Sequence, residues 1–198
     1  MRQAKIERST KETNITCELN IDEFRGASVE TELGFLSHML ITFAKSGSFR
    51  LKLKASGDLK VDQHHTIEDI GIVLGKTFNE ALGDKKGINR AGYFVYPMDD
   101  ALAVVAIDIS GRNYLQFDAK FKRRFCGDLD TDTLEDFFQG FTNGLQGNVV
   151  VRMPFGRSDH HKIESIFKAF GKAMEMAVKK NKRVKGIPST KGGIEWLQ

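Results

Sequence analysis

Hydrophobic and polar residues alternate in several stretches of the chain, which is the pattern of strands that bury one face. The alternation first occurs around residues 14–21 and returns at residues 49–53. Strands are also predicted over residues 93–96, 101–109, 114–121 and 148–153. The chain is therefore expected to contain many short strands.

Between these strands, hydrophobic residues recur every three or four positions, the spacing that predicts amphipathic helices. Helices are expected over residues 35–45, from residue 67 to about residue 82, from about residue 131 to residue 141, and over residues 163–174. The second of them should end at Gly83 or at the Lys85-Lys86-Gly87 turn.

From about Ile88 the order of the predicted elements begins again: strands, helix, strand, a histidine motif, helix. This order predicts an α+β fold of two similar halves, each a small sheet with two helices on one face. We expect the halves to span residues 1–87 and 88–185, followed by a tail over residues 186–198. No linker rich in Pro, Gly and Ser separates them, so they should pack as one body.

The histidine motif is His-His-x-x-Glu, and its two copies begin at His64 and at His160. They hold four of the five histidines in the chain. If each copy begins a helix, the first histidine and the glutamate share a face, whereas the second histidine points elsewhere. Two copies facing each other could then build two metal sites, in which each converging pair is joined by the second histidine of the other copy.

Imidazole and carboxylate donors without a thiolate favour manganese, iron, nickel or zinc. His38 and Asp136 lie on the helices that precede the two motifs, so each is placed to complete one site. The simpler alternative is that the motif histidines cap helices or pair with carboxylates, and that His38 and Asp136 are ordinary structural or solvated residues.

Composition narrows the class of protein. The chain has 198 residues, of which 40% are hydrophobic and 28% charged, as in ordinary globular proteins, and no apolar run is long enough for a membrane span. Two cysteines at unrelated positions suit a reducing cytoplasm. The net charge of +4 comes partly from Lys179-Lys180-Asn181-Lys182-Arg183, which we interpret as a solvated helix end rather than a nucleic-acid site.

The chain resembles the imidazoleglycerol-phosphate dehydratase family over nearly its whole length. The resemblance rests on the two histidine motifs and on five further segments: Thr10-Lys11-Glu12-Thr13-Asn14, Gly34-Phe35-Leu36-Ser37-His38-Met39-Leu40, Asp108-Ile109-Ser110-Gly111-Arg112, Phe167-Lys168-Ala169-Phe170 and Pro188-Ser189-Thr190-Lys191-Gly192. It implies a fold like domain 2 of ribosomal protein S5. It also implies a manganese-dependent, monofunctional enzyme of histidine biosynthesis, which removes water from imidazoleglycerol phosphate to give imidazoleacetol phosphate.

The resemblance further implies two manganese ions per chain and a role for each site residue. One ion would be held by His38, His65, His160 and Glu164, and the other by His64, Glu68, Asp136 and His161. Glu12 would be the acid/base group, with Glu164 as the second choice, and the substrate phosphate would be bound by Arg90, Arg112, Lys168, Ser189, Thr190 and Lys191. The family forms a large octahedral homo-oligomer with sites shared between subunits, and neither nucleic acid nor membrane is an expected partner.

The sequence departs from the family pattern at two site positions. Many members have a histidine where Asp136 stands, and an acidic or amide residue is common where Ser37 stands. Two other classes of protein could use the same donors. A dinuclear hydrolase would release phosphate, and a metal-binding assembly protein would not depend on Glu12.

Overall fold

The computed structural model describes residues 1–190 and 192–194. Its first half contains four strands and two helices: β1 (Gln3–Ser9), β2 (Thr13–Asn20), β3 (Ala27–Glu30), α1 (Gly34–Ser46), β4 (Arg50–Gly57) and α2 (His64–Leu82). Alternate residues of β2 and β4 are buried, as expected of strands that cover a core on one face.

The second half repeats this order and adds a short hairpin before its first helix. Its elements are β5 (Ala91–Met98), β6 (Ala101–Asp108), β7 (Tyr114–Asp118), β8 (Phe125–Cys126), β9 (Leu129–Asp130), α3 (Thr133–Leu145), β10 (Asn148–Phe155) and α4 (Asp159–Val178). The strands β8 and β9 form the hairpin and pair only with each other among the described residues.

The two large sheets have the same topology. The first has the order β1-β2-β4-β3 and the second has the order β5-β6-β10-β7. In each sheet the fourth strand in spatial order is parallel to its neighbour, and the other pairs are antiparallel. The internal repeat predicted from the order of elements is therefore present in the structure.

All four helices lie between the sheets, and each half contributes its first helix to a pair with the second helix of the other half. Thus α2 packs along α3, and α1 packs along α4. The α2–α3 contact is close because glycines of each helix lie directly against the backbone of the other. A Cβ at Gly71 would collide with the Phe137 carbonyl, and a Cβ at Gly140 would collide with the Glu68 carbonyl. One hydrophobic core runs through both halves, and stacked rings such as Phe43 and Phe170, 4.4 Å apart, join them.

The predicted helices and most of the predicted strands are confirmed. The strand expected over residues 114–121 is shorter than predicted and ends at Asp118. Sequence patterns missed β1, whose inward residues include the charged Arg8, and β3, which has one buried residue, Val29. They also missed the hairpin of β8 and β9, because two-residue strands are too short to show a period.

Candidate metal and substrate site

The amino ends of two helices, α1 and α2, meet at the β8–β9 hairpin. The Asp128 carboxylate accepts hydrogen bonds from the backbone N–H groups of Gly34 and Phe35, at 2.6 and 2.9 Å, where α1 begins. The side chain of Gln63, just before α2, donates to the Asp128 carbonyl at 2.8 Å and accepts from the Asp130 N–H at 2.9 Å. These contacts position the starts of α1 and α2, which carry His38 and His64.

A first cluster of donors forms where α1 lies beside α4. One donor atom from each of His38, His160 and Glu164 lies within 4.8 Å of the others. His160 Nε2 is 3.2 Å from Glu164 Oε2, as expected for residues four apart on one helix face. This cluster joins the two halves, since His38 comes from the first and the motif from the second.

Glu164 is the most buried member of this first cluster, with 13% of its side chain exposed. Burial disfavours its charged form, but an ion pair with Lys168 at 2.9 Å and the contact with His160 outweigh burial and lower the pKa of Glu164. Glu164 is therefore a carboxylate at neutral pH, as a metal ligand must be.

The first motif lies beside α3. His64 Nδ1 is 2.9 Å from Asp136 Oδ2, and His64 Nε2 is 3.9 Å from Glu68 Oε2. The close α2–α3 packing at Gly140 holds these groups together, because Gly140 follows Asp136 by one helical turn and contacts the backbone at Glu68. Asp136 therefore lies at the motif, as its place in the repeat predicted.

In the first motif, the ring of His65 points away from that of His64 and towards a separate pair of carboxylates. His65 Nδ1 lies 3.1 Å from Asp58 Oδ2 and 3.9 Å from Glu12 Oε2. The hydrogen bond that His65 donates to Asp58, aided by the negative charge of Glu12, raises the pKa of His65 against the opposing effect of burial. Sequence patterns missed Asp58, which had no signal beyond its position in the loop before the motif.

The second histidine of the second motif also meets an aspartate. His161 Nδ1 lies 2.5 Å from Asp100 Oδ1, in the turn between β5 and β6. This hydrogen bond, together with those from the backbone N–H groups of Ser158 and Arg157, holds the pKa of Asp100 well below its usual range. Asp100 therefore anchors both His161 and the start of α4, a role that sequence patterns also missed.

Three of the four motif histidines thus have an aspartate at Nδ1. When that nitrogen is the donor, the Nε2 lone pair stays free for a metal, and the carboxylate fixes the direction of the ring. The imidazole and carboxylate groups fit a borderline or hard divalent ion. Within one chain, however, His65 and His161 lie with these aspartates rather than with the donor sets expected for them.

The expected phosphate-binding residues divide between two places. Lys168 lies at the first cluster, bonded to Glu164 and with its ammonium 5.5 Å from the centre of the Tyr96 ring. Arg90 makes a two-pronged contact with Asp108, at 2.6 and 2.9 Å, and donates to the Pro188 carbonyl at 2.9 Å. Arg90 has φ of 71°, a left-handed conformation that is rare for non-glycine residues and often found at functional sites.

The Arg90 end of the second sheet, rather than the Lys168 end, is also the location of Arg112, Ser189 and Thr190. Arg112 follows the end of β6 at Asp108, and Ser189 and Thr190 follow Pro188 in the tail. Lys191 lies outside the described residues. Arg90 and Asp99 flank β5 at its opposite ends, and the nine residue steps between them span roughly 30 Å in an extended strand. The far end of the second sheet, which holds Arg90, is thus remote from the Asp99 and Asp100 turn that holds His161 of the same chain.

A cavity of about 560 Å³ adjoins the first cluster, with His160 in its wall. Lys122, Arg123 and Arg157 also line it, and among the described residues none of the three has a carboxylate within ion-pair distance. Asp159 also lines the cavity but is paired with Lys162, so most charged side chains of the lining are cationic, which favours the approach of an anionic ligand.

Comparison with known proteins identifies the family. Residues 31–174 match the sequence model of imidazoleglycerol-phosphate dehydratase. The chain belongs to the imidazoleglycerol-phosphate dehydratase family. The enzyme of that name from Lactiplantibacillus plantarum is 54% identical over 98% of this chain and 100% of its own length, and that from Koribacter versatilis is 51% identical over 97% and 99%.

Solved structures of the dehydratase family have the same fold. The enzyme from Pyrococcus furiosus aligns with a TM-score of 0.83 at 33% identity, covering 95% of this chain and 99% of its own. The enzyme from Staphylococcus aureus gives 0.80 at 34% identity, over 90% and 99%. The family reaction is a hydro-lyase reaction, the dehydration of imidazoleglycerol phosphate in histidine biosynthesis. In the described part of the chain, no helix has the length and apolar character to span a membrane.

Proposed function

We propose that this chain dehydrates imidazoleglycerol phosphate to imidazoleacetol phosphate in the cytoplasm, with two Mn²⁺ ions per chain, in a large octahedral homo-oligomer whose sites lie between copies. The proposal that the sites are shared between subunits rests on how the site residues are divided within one chain. The first cluster has three donors but lacks His65, and the group formed by the first motif and Asp136 lacks His161. Arg90 and Arg112 lie at the far end of the second sheet.

In the proposed assembly, His65 of one subunit completes the cluster of His38, His160 and Glu164 on another subunit. His161 likewise completes the set of His64, Glu68 and Asp136. Each incoming histidine is already oriented by Asp58 or by Asp100, so little side-chain freedom is lost when it binds. When bound, the metals supply Lewis acidity that favours loss of a proton from the imidazole ring of the substrate.

Glu12 is the proposed acid/base residue. Its side chain is 54% exposed and reaches within 3.9 Å of His65, so it enters the site wherever His65 does. A carboxylate there can accept the carbon-bound proton and return a proton to the departing hydroxyl. Glu164 is the less suitable choice, because Lys168 and His160 already occupy both of its oxygens.

The phosphate of the substrate is proposed to meet Lys168 of one copy and Arg90, Arg112, Ser189, Thr190 and Lys191 of another. The Arg90 guanidinium holds the tail through the Pro188 carbonyl, which brings the Ser189-Thr190 segment beside it. Guanidinium and hydroxyl donors suit phosphate oxygens. The cation-lined cavity at His160 would attract the same anion towards the cluster.

The test is turnover of imidazoleglycerol phosphate by protein stripped with a chelator and then titrated with manganese. We expect the dehydrated product to appear as about two ions bind per chain, the stoichiometry that the paired donor sets require. Release of inorganic phosphate instead would indicate a hydrolase. An assembled, metal-loaded protein with no turnover would contradict the proposed enzyme activity.

A further inference from the structure

Three polar side chains of the first half, those of Arg8, Thr13 and Asp69, occupy positions that face inward. Arg8 shares the half-buried face of β1 with Ala4 and Ile6. Thr13 begins the buried row of β2, and Asp69 lies on α2 with 7% of its surface exposed. A buried polar or charged group costs free energy unless it is bonded to a partner. Packing alone therefore does not account for polar groups at these positions.

The three side chains bond to one another, and we call them the Asp69 network. One carboxylate oxygen of Asp69 accepts two hydrogen bonds from the Arg8 guanidinium, at 3.2 and 3.0 Å. The other oxygen accepts a hydrogen bond from the Thr13 hydroxyl at 2.5 Å. Because both oxygens are engaged, the carboxylate ties the end of β1 and the start of β2 to the same point on α2.

The turn between these two strand ends carries Glu12. The Thr10 hydroxyl accepts hydrogen bonds from the backbone N–H groups of Glu12 and Thr13, at 3.1 and 2.9 Å. The turn is thus bonded to the residue that Asp69 holds. The Glu12 carboxylate lies 3.9 Å from His65 Nδ1, and Asp69 follows His65 by one turn on the same face of α2. The Asp69 network therefore holds the Glu12 turn against the helix that carries His65.

The second half shows that the fold does not require this network. The pairing register and the motif repeat relate the three residues of the network to Tyr96, Ala101 and Ser165. An ion pair like that of Arg8 and Asp69 is not possible among these side chains, and the Ser165 hydroxyl donates within its own helix. Nevertheless, α4 packs on β5 and β6 as α2 packs on β1 and β2. The network therefore serves a feature of the first half, and the turn with Glu12 is such a feature.

We propose that Asp69 is a positioning residue for the dehydration, which fixes Glu12 beside the imidazole ring of His65 through Thr13 and Arg8. This inference rests on the proposed function, in which Glu12 transfers the protons. Asp69 acts through Glu12, because its own two oxygens are engaged within the network. Displacing a catalytic group by about 1 Å can cost about 10²-fold in rate. The Asp69 network therefore contributes to kcat rather than to substrate binding.

The experiment begins with Thr13→Val, which keeps the shape of the side chain and removes its hydroxyl group. We expect kcat to fall by about 10- to 10²-fold. KM and manganese binding should not change, because Thr13 is in neither the ligand sets nor the phosphate set. Thr13→Ser keeps the hydroxyl and should restore most of kcat. The matched control is Thr77→Val, which removes the hydroxyl that a buried threonine of α2 donates to the Val73 carbonyl at 2.7 Å. It should keep the wild-type kcat.

A second comparison asks whether Thr13 acts through Glu12. In a Glu12→Gln background, Thr13→Val should lower kcat no further, because the side chain that the network positions can no longer take a proton. A further loss of the same size in that background would overturn the proposal. A folded Thr13→Val protein with the wild-type kcat would also overturn it. If Thr13→Val does not fold, Arg8→Gln replaces it with the same expected outcomes, since the Arg8 side chain is 38% exposed.

The outcomes separate this inference from the proposed function. A wild-type protein without turnover contradicts the function, whereas equal turnover in wild type and Thr13→Val contradicts the role of Asp69 alone. Hydrogen exchange of the backbone amides of residues 10–13 gives a readout that does not depend on turnover. Exchange should be faster in metal-loaded Thr13→Val than in wild type, and unchanged in Thr13→Ser and Thr77→Val. Equal exchange in all four proteins would show that the network does not hold the turn.

Discussion

At the scale of single residues, the recurring feature is an aspartate at the Nδ1 atom of a motif histidine. Asp136, Asp58 and Asp100 contact His64, His65 and His161 at 2.9, 3.1 and 2.5 Å. An aspartate in this position fixes the tautomer and direction of the imidazole. For Asp136 the contact raises a specific question, because a carboxylate can orient a histidine or bind the metal itself.

Replacing Asp136 should distinguish these two roles. If Asp136 is a ligand, both Asp136→Asn and Asp136→Ala should bind about one manganese ion per chain rather than about two, because a neutral amide is a weaker ligand than a carboxylate. The count can be made by metal analysis after gel filtration, with the neighbouring exposed Glu135→Gln as the matched control. Two ions in Asp136→Asn but one in Asp136→Ala would show that Asp136 only orients His64.

The acid/base role proposed for Glu12 gives a second prediction at this scale. Glu12→Gln keeps the size of the side chain but removes its ability to take a proton, so kcat should fall by about 10²- to 10⁴-fold. Manganese binding and particle mass should be unchanged, because Glu12 is in neither proposed ligand set. Glu7→Gln, an exposed carboxylate on β1 paired with Lys5, is the control. Full activity in Glu12→Gln would assign the proton transfer to another group.

At the scale of elements, the donor sets depend on how closely the helices pack. Gly71 and Gly75 on α2 face the backbone of α3, and Gly140 and Gly144 on α3 face the backbone of α2. The spacing of four within each pair was visible in the sequence, and small residues at this spacing permit close helix contact. Asp136 reaches His64 because, at these four positions, no side chain separates the two helix backbones.

Adding one methyl group at this contact should therefore affect both stability and the site. A Cβ at Gly140 would collide with the Glu68 carbonyl, so Gly140→Ala should lower the free energy of unfolding by about 1–3 kcal/mol. It should also weaken manganese binding, because α3 moves away from the first motif. Denaturant unfolding and metal titration measure the two effects. Gly186→Ala is the control, since a Cβ there meets nothing within 4 Å.

At the scale of the whole molecule, the halves are held together by the shared core and also by a contact at the chain's amino end. Arg2 donates to the Asp22 carboxylate at 2.6 and 3.0 Å and to the Val178 carbonyl, at the end of α4, at 2.5 Å. Burial opposes the charge on Asp22, but the hydrogen bonds from Arg2 prevail and lower the pKa of Asp22. This contact ties the first sheet to the last helix.

The lowered pKa of Asp22 fixes the direction of a pH effect. Because the folded pKa is below the unfolded value of about 3.9, the contact stabilises the protein fully above that value and is lost as the pH falls through the folded pKa. Asp22→Asn should lower the free energy of unfolding by about 1 kcal/mol at neutral pH and low salt. Thermal unfolding should show this deficit shrinking below about pH 4, with Glu23→Gln as the control. A deficit independent of pH would contradict the assignment.

The sequence by itself determined the repeat, most of the elements and the residue types of the site. Period and motif spacing are local properties, so they identified the strands around Cys17 and Val105, the helices that carry the motifs, and the pairing of His64 with Glu68 and of His160 with Glu164. The family followed from the same motifs. Asp136 was found in this way as well, because the repeat relates it to His38.

The tertiary structure alone decided which helices meet and which carboxylate holds each histidine. Asp58, Asp100 and Asp128 had no local signal, because their roles arise from contacts between turns and helices that are distant in the chain. The structure also showed that Arg90 and His161 of one chain lie at opposite ends of β5. Such facts depend on long-range packing, which residue periodicity does not encode.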